Sequence, residues 1–124
     1  MVLHHTRPVC IITVYAHAAT ARSSYEDKAA LYEELSALYR RFKRSGIVII
    51  MGDFNARVQA KQADSEWGIG PHTFDKDNIT LARQTDDTAE NRALFLSFCR
   101  AHDLIVCNTW FPKPNGKLMT HHRP

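Results

Sequence analysis

The residues best suited to chemistry are Asp53 and Asn55, a carboxylate and a carboxamide two positions apart. They follow Ile47-Val48-Ile49-Ile50-Met51 and Gly52, an apolar run closed by a glycine. An ionised carboxylate accepts a proton and a carboxamide donates hydrogen bonds. Together they suit the activation of a water and the steadying of a phosphate oxygen. If the backbone stays extended, positions 53 and 55 face one cleft while Phe54 points the other way, into the core. The same spacing also suits a turn in which Asp53 and Asn55 bond to their own backbone. Spacing alone supports both.

Other reactive side chains form no comparable set. The seven histidines include two adjacent pairs, His4-His5 and His121-His122, expected at the surface. His72 falls in a loop and His102 at a helix end. None has the spacing of a helical His-x-x-x-His or a Cys–His knuckle, so no metal ligand is assigned. Cys10, Cys99 and Cys107 are an odd number without CxxC spacing, each among apolar neighbours. They are expected to be buried, reduced thiols. The formal charge of +3 permits a nucleic-acid partner without demanding one. The densest basic stretch, Arg40, Arg41, Lys43 and Arg44, fits a helix end, where cations complement the dipole. The apolar runs fall short of the ~20 residues of a membrane span, and the N-terminus lacks the apolar core of a signal peptide.

The elements that must position Asp53 and Asn55 can be traced through the pattern. Val9 to Tyr15 is rich in β-branched residues and predicts a buried strand. Ser23 and Glu26 have capping-box spacing. Behind them Leu31, Leu35, Leu38 and Phe42, widened by Tyr32 and Tyr39, predict a helix that stops near Gly46. Ile47 to Met51 predicts a second strand. Strand, helix, strand supplies enough chain for a parallel crossover and places Asp53 at a strand's carboxyl end, where ligands of α/β proteins gather. Residues 57–86 are polar and weakly patterned, a long loop. A second helix is expected from about Thr88 to His102, with Asp87 and Glu90 at cap spacing and Leu94, Phe95, Phe98 and Cys99 inward. A third strand is expected over Leu104 to Thr109, then a turn at Pro112, Pro114, Asn115 and Gly116, and a fourth strand from Lys117 to Thr120. The class is α/β.

Met51-Gly52-Asp53-Phe54-Asn55-Ala56 resembles the signature of the endonuclease/exonuclease/phosphatase family. Thr13-Val14-Tyr15-Ala16 resembles its strand ending in a tyrosine before a long helix. Asn91 to Asn108, with Phe98-Cys99 and Asp103-Leu104-Ile105-Val106, resembles the helix and strand that follow in endonucleases of non-LTR retrotransposons. Asn108-Thr109-Trp110-Phe111 and Lys117-Leu118-Met119-Thr120 resemble the next part of that group. The likeness spans about Val9 to Pro124. The six-residue motif is its most specific part, and the order of the weaker matches adds to it.

The resemblance implies a four-layer α/β sandwich, of which residues 1–124 would be a single incomplete domain, the middle portion. It implies magnesium-dependent phosphodiester hydrolysis, most directly a DNA nick leaving a 3′-hydroxyl. Tyr15 would contact the scissile phosphate, Asp53 would orient and deprotonate the attacking water, and Asn55 would steady the phosphate. The family also uses an asparagine and a metal-holding glutamate from strands before the tyrosine, and a late Asp–His pair. Nothing before Val9 matches the first pair, and neither His121 nor His122 follows an aspartate. The chain is therefore expected to be a fragment lacking both ends, with the principal magnesium ligand absent and activity lost in isolation. His17 and Ala18 depart from the Pro-Asn that follows the tyrosine in some members. Leu31, Ile49 and Phe95 would pack helices on one sheet, whose opposite face would lack its cover. DNA as partner and a nuclear location follow from the resemblance alone, whereas an intracellular location follows from the reduced cysteines, and neither a membrane nor an obligate protein partner is inferred. Two alternatives stand beside it: a phosphoesterase of the same fold acting on phosphoinositides or sphingomyelin, and a non-catalytic transposon remnant that serves as a binding scaffold.

Overall fold

A computed structural model describes residues 6–15, 23–74 and 86–114. The described residues are mixed α/β, with two parallel strands and two α-helices. They fall into two compact units, Met1–Asn55 and Ala56–Pro124.

The first unit is the expected strand, helix, strand. β1 (Val9–Tyr15) and β2 (Ile47–Asp53) pair in parallel, from Val9 opposite Ile47 to Tyr15 opposite Asp53. Parallel pairing requires a long return, which α1 (Tyr25–Lys43) supplies. Its cap is Ser24, one residue later than the Ser23–Glu26 box predicts. The Ser24 hydroxyl accepts the Asp27 N–H at 3.1 Å and donates to the Asp27 carboxylate at 2.8 Å. Starting at Ser24 lets Asp27 close a reciprocal pair and places both Glu26 and Asp27 in the first turn, where the dipole favours acids. The buried stripe of α1 is Lys28, Tyr32 and Leu35, whereas Leu31, Leu38 and Phe42 lie half-buried beside it.

Alternation divides the two apolar strands between unlike faces. Ile12 and Val14 are buried, with Val48 and Ile50 half-buried on the same face. Val9, Ile11, Ile47, Ile49 and Met51 occupy the other face and are exposed. Ile49 therefore does not pack a helix against the sheet, as expected for it. It lies on the open side at 43% exposure. Strands apolar on both faces are the composition of a sheet covered twice, and within this unit one face is left open.

The second unit is built on α2 (Asp86–Ala101). Phe95, Phe98 and Cys99 are buried as predicted, and Leu94 is half-buried. Asn91 and Arg92 are buried as well, which the apolar pattern did not flag. The helix begins at Asp86, so Asp87 lies in its first turn and is not its cap. Past the helix, Asp103 takes φ 53° and the chain reverses, with Leu104 N–H donating to Cys99 O at 2.8 Å.

No third strand forms over Leu104–Thr109; Cys107–Thr109 is a 3₁₀ turn instead. The Thr109 hydroxyl explains the difference. It donates to Val106 O at 2.6 Å and accepts the Gly70 N–H at 2.7 Å, closing a turn where a ladder would have to run. The backbone meets residues 68–72 at only scattered points, Val106 N–H to Gly68 O and His72 N–H to Thr109 O. A Cβ on Gly70 would overlap the Thr109 carbonyl, so this approach needs glycine. Ile69, 1% exposed, and bonds to residues 104–110 anchor residues 68–72.

Losing the strand also changes the cysteines. Cys99 is buried and Cys10 half-buried, but Cys107 is exposed, because a turn has no alternating buried side. Burial pushes the Cys99 thiol up to about 12, where little thiolate exists near neutrality. Iodoacetamide near pH 8 is expected to label Cys107 rapidly and Cys99 only after unfolding. Equal labelling of both in the native chain would contradict this packing. The fourth strand expected over Lys117–Thr120, and His17 and Ala18, lie outside the described residues.

Candidate functional site

Tyr15 and Asp53 are the last residues of β1 and β2 and stand directly opposite in register. In a parallel pair, opposed residues share a face and lie on strands ~4.8 Å apart. The phenol and the carboxylate thus leave the same edge of the sheet side by side. Both are exposed, Tyr15 at 81%. They extend the open face that carries Ile11, Ile49 and Met51.

Gly52 allows this arrangement. It adopts φ +149°, and a Cβ there would overlap the carbonyl oxygen of Val14, the residue before Tyr15. Any side chain would push the strand ends apart just where the two polar groups must be close.

Of the two arrangements the spacing allows at Asn55, extended backbone and turn, the structure has the turn. The Asn55 φ is 49°, a left-handed conformation that asparagine tolerates better than most residues. Its N–H donates to Asp53 Oδ1 at 2.9 Å. This is the turn that the Gly-Asp-x-Asn spacing also allowed. A side-chain carboxylate competes well for a backbone donor two residues on, so the chain turns instead of continuing straight. The turn engages one carboxylate oxygen and fixes the carboxylate relative to the backbone of Asn55. Phe54, between them, is half-buried.

The chain matches no protein-family model, no curated protein and no solved structure.

As a metal centre the donors are too few. Magnesium takes near-octahedral oxygen coordination, built from one or two carboxylates with waters and phosphate oxygens. The described residues contain no cluster of three or more His, Cys, Asp or Glu side chains. Asp53 is the sole carboxylate of the Tyr15–Asp53–Asn55 set, and its Oδ1 already accepts a backbone N–H. Among the described residues, Tyr15, Asp53 and Asn55 do not by themselves make a site for the ion.

A cavity of about 370 Å³ lies within the second unit, lined in part by Glu66, Trp67, Arg92, Ser97, Arg100 and Leu104. None of Tyr15, Asp53 and Asn55 lines it. Buried Arg92 pairs with half-buried Glu66, donating to Oε1 at 2.6 Å and Oε2 at 2.9 Å, and also to Ala60 O at 3.3 Å. Glu66 also accepts the Gln62 N–H at 2.8 Å. Such a bidentate clamp holds the loop to α2, a structural task.

The Arg92 hydrogen bond holds the Glu66 carboxyl below its ordinary 4.5, against burial, which raises it. A carboxyl depressed in the folded state stabilises the fold fully above its unfolded value. That contribution is lost as pH falls through the depressed one. Amide exchange of α2 is therefore expected to quicken below about pH 4.5. In Arg92→Ala this acid-dependent step should shrink. An identical acid profile in both proteins would remove the clamp from this role.

Sequence reasoning named Tyr15, Asp53 and Asn55 but missed the clamp. An arginine on an otherwise apolar helical face, Arg92 beside Phe95 and Cys99, was the signal available for it.

Among the described residues no helix is long and apolar enough to cross a membrane.

Proposed function

We propose that Tyr15, Asp53 and Asn55 form part of the phosphate-reacting centre of a metal-dependent phosphodiesterase, with DNA as substrate. The pairing of Tyr15 with Asp53 at the carboxyl ends of adjacent parallel strands carries this reading. It supplies a proton acceptor and a hydroxyl donor within one phosphate's reach of each other. The resemblance of Met51–Ala56 to the endonuclease/exonuclease/phosphatase signature supports the choice of chemistry.

In this reading Asp53 accepts the proton of a water as its oxygen attacks phosphorus. The turn to the Asn55 N–H orients the carboxylate for that transfer. The Tyr15 hydroxyl donates to a non-bridging phosphate oxygen, which gains charge as the water adds, while the bond to the sugar 3′-oxygen breaks. The Asn55 carboxamide adds a second donor to that group, stabilising charge where it develops. The 3′-oxygen leaves with a proton from solvent as a free hydroxyl. Magnesium, implied by the resemblance for the intact domain, would offset phosphate charge when bound.

A plasmid-nicking assay on the intact gene product, comparing wild type with Asp53→Ala, tests the proposal. Loss of the nicked form in the variant is expected; equal metal-dependent nicking would overturn it. The open apolar face of β1 and β2 favours a second reading, in which the unit serves as a binding scaffold without catalysis. Absence of nicking by both proteins, with DNA binding retained, would select that reading.

A further inference from the structure

At the end of the sheet away from Tyr15 and Asp53, the first unit gathers cations. Arg40, Arg41 and Lys43 lie in the last turn of α1, and Arg44 is its C-cap in helical conformation. All four are exposed. Phe42 O accepts the Ser45 N–H at 3.0 Å, turning the chain into β2, and the Ile47 N–H donates to Pro8 O at 3.0 Å. That second bond brings the exposed Arg7, from another part of the sequence, to the same edge. The chain has no Asp or Glu between Glu34 and Asp53, so the edge has no nearby acid from its own connection.

Helix-end cations have an ordinary role, to complement the dipole, and one or two would serve it. Four in five positions joined by a fifth from a distant segment exceed that need. Arg40 and Arg44 lie one turn apart, with Cβ atoms about 5–6 Å from each other. Arginines so spaced can each take a separate phosphate oxygen pair. Arg41 lies over the Phe42 ring at 5.4 Å and Lys43 over the Tyr39 ring at 5.5 Å. The faces of these two rings are thus covered by cations, while the exposed apolar residues nearest the edge are Val9 and Ile47 at the strand starts.

We infer that this edge, formed by Arg7, Arg40, Arg41, Lys43 and Arg44, binds the phosphate backbone of a nucleic acid. The contact is independent of base sequence and of any catalysis at Asp53. Seven-residue strands place it about 20 Å from the Tyr15–Asp53 pair, so it is a second contact and not an arm of the first. A membrane surface fits less well, because the aromatics within the cluster, Tyr39 and Phe42, are half-buried under cations, which leaves only the strand residues Val9 and Ile47 beside it as apolar surface to insert.

The test measures binding of the full chain to a short labelled DNA duplex by fluorescence anisotropy, in chelator, over a range of salt. Converting Arg40, Arg41, Lys43 and Arg44 together to glutamine should reduce the slope of log K against log salt by about 2–4. The same four as lysine, with Lys43 kept, should preserve the slope. Arg7→Gln lies off the helix and should reduce it by about 0.9, one phosphate's share. It decides the matter if circular dichroism shows that the glutamine variant has lost helix. An unchanged slope in Arg7→Gln and in the glutamine variant would overturn the inference. So would preferred binding to phosphatidylserine vesicles over the duplex.

Discussion

Gly52→Ala is expected to separate β1 from β2 at their carboxyl ends and to unfold much of the first unit. Two costs combine. Alanine at φ +149° occupies backbone space essentially reserved for glycine, at about 1–3 kcal/mol. Its Cβ would also overlap the Val14 carbonyl, and relieving such an overlap in packed structure costs about another 1–3 kcal/mol. A total of about 2–6 kcal/mol is a large share of the ~5–15 kcal/mol that holds a domain together. Amide exchange reports it directly: protection across Val9–Tyr15 and Ile47–Asp53 should fall together, while α2 in the second unit keeps its own. Wild-type protection in both strands would show that the ends of the sheet tolerate a side chain.

Asp53→Ala is expected to act on rate and not on folding. Asp53 is exposed at the last position of its strand, and its one described bond is to the Asn55 N–H. Losing an exposed turn-forming carboxylate changes stability little. Losing a positioned general base typically lowers rate by about 10²–10⁴-fold. Nicking by the intact gene product should fall by that factor, with strand protection unchanged. A fall in protection that tracks the fall in nicking would reduce Asp53 to a structural residue. Asp53→Asn separates the roles further, since a carboxamide oxygen can still accept the Asn55 N–H but cannot take a proton from water.

Much of this was legible in the residues. Two β-branched runs with a long amphipathic stretch between them pointed to strand, α1 and strand with enough chain for a crossover, while the direct pairing of the two strands comes from the structure. The close opposition of Tyr15 and Asp53 required register, which pattern does not specify when both strands are apolar on both faces. For the same reason Ile49 was assigned to the wrong side: a continuous apolar run carries no mark of which alternate residues face the helix. Residues 104–109 have strand composition, yet the hydroxyl of Thr109 bonds to Val106 O and forms a turn. The two bonds of that hydroxyl, with the backbone bonds of the turn, outweighed a six-residue propensity. At the site itself, Asp53 and Asn55 were identifiable, but the choice between extended backbone and turn was not. The structure shows the turn, which leaves the carboxylate at the strand end while bending the asparagine's backbone away from the strand direction.

The claim on which the account rests is that Tyr15 and Asp53 act on one phosphate as a unit, and a double-mutant cycle on nicking rate measures it. Groups that serve the same transition state do not contribute independently, so their losses fail to multiply. Tyr15→Phe combined with Asp53→Ala is predicted to nick DNA about as slowly as Asp53→Ala alone. A double mutant slower by the full product of the two single effects, or a Tyr15→Phe protein as fast as wild type, would contradict the account.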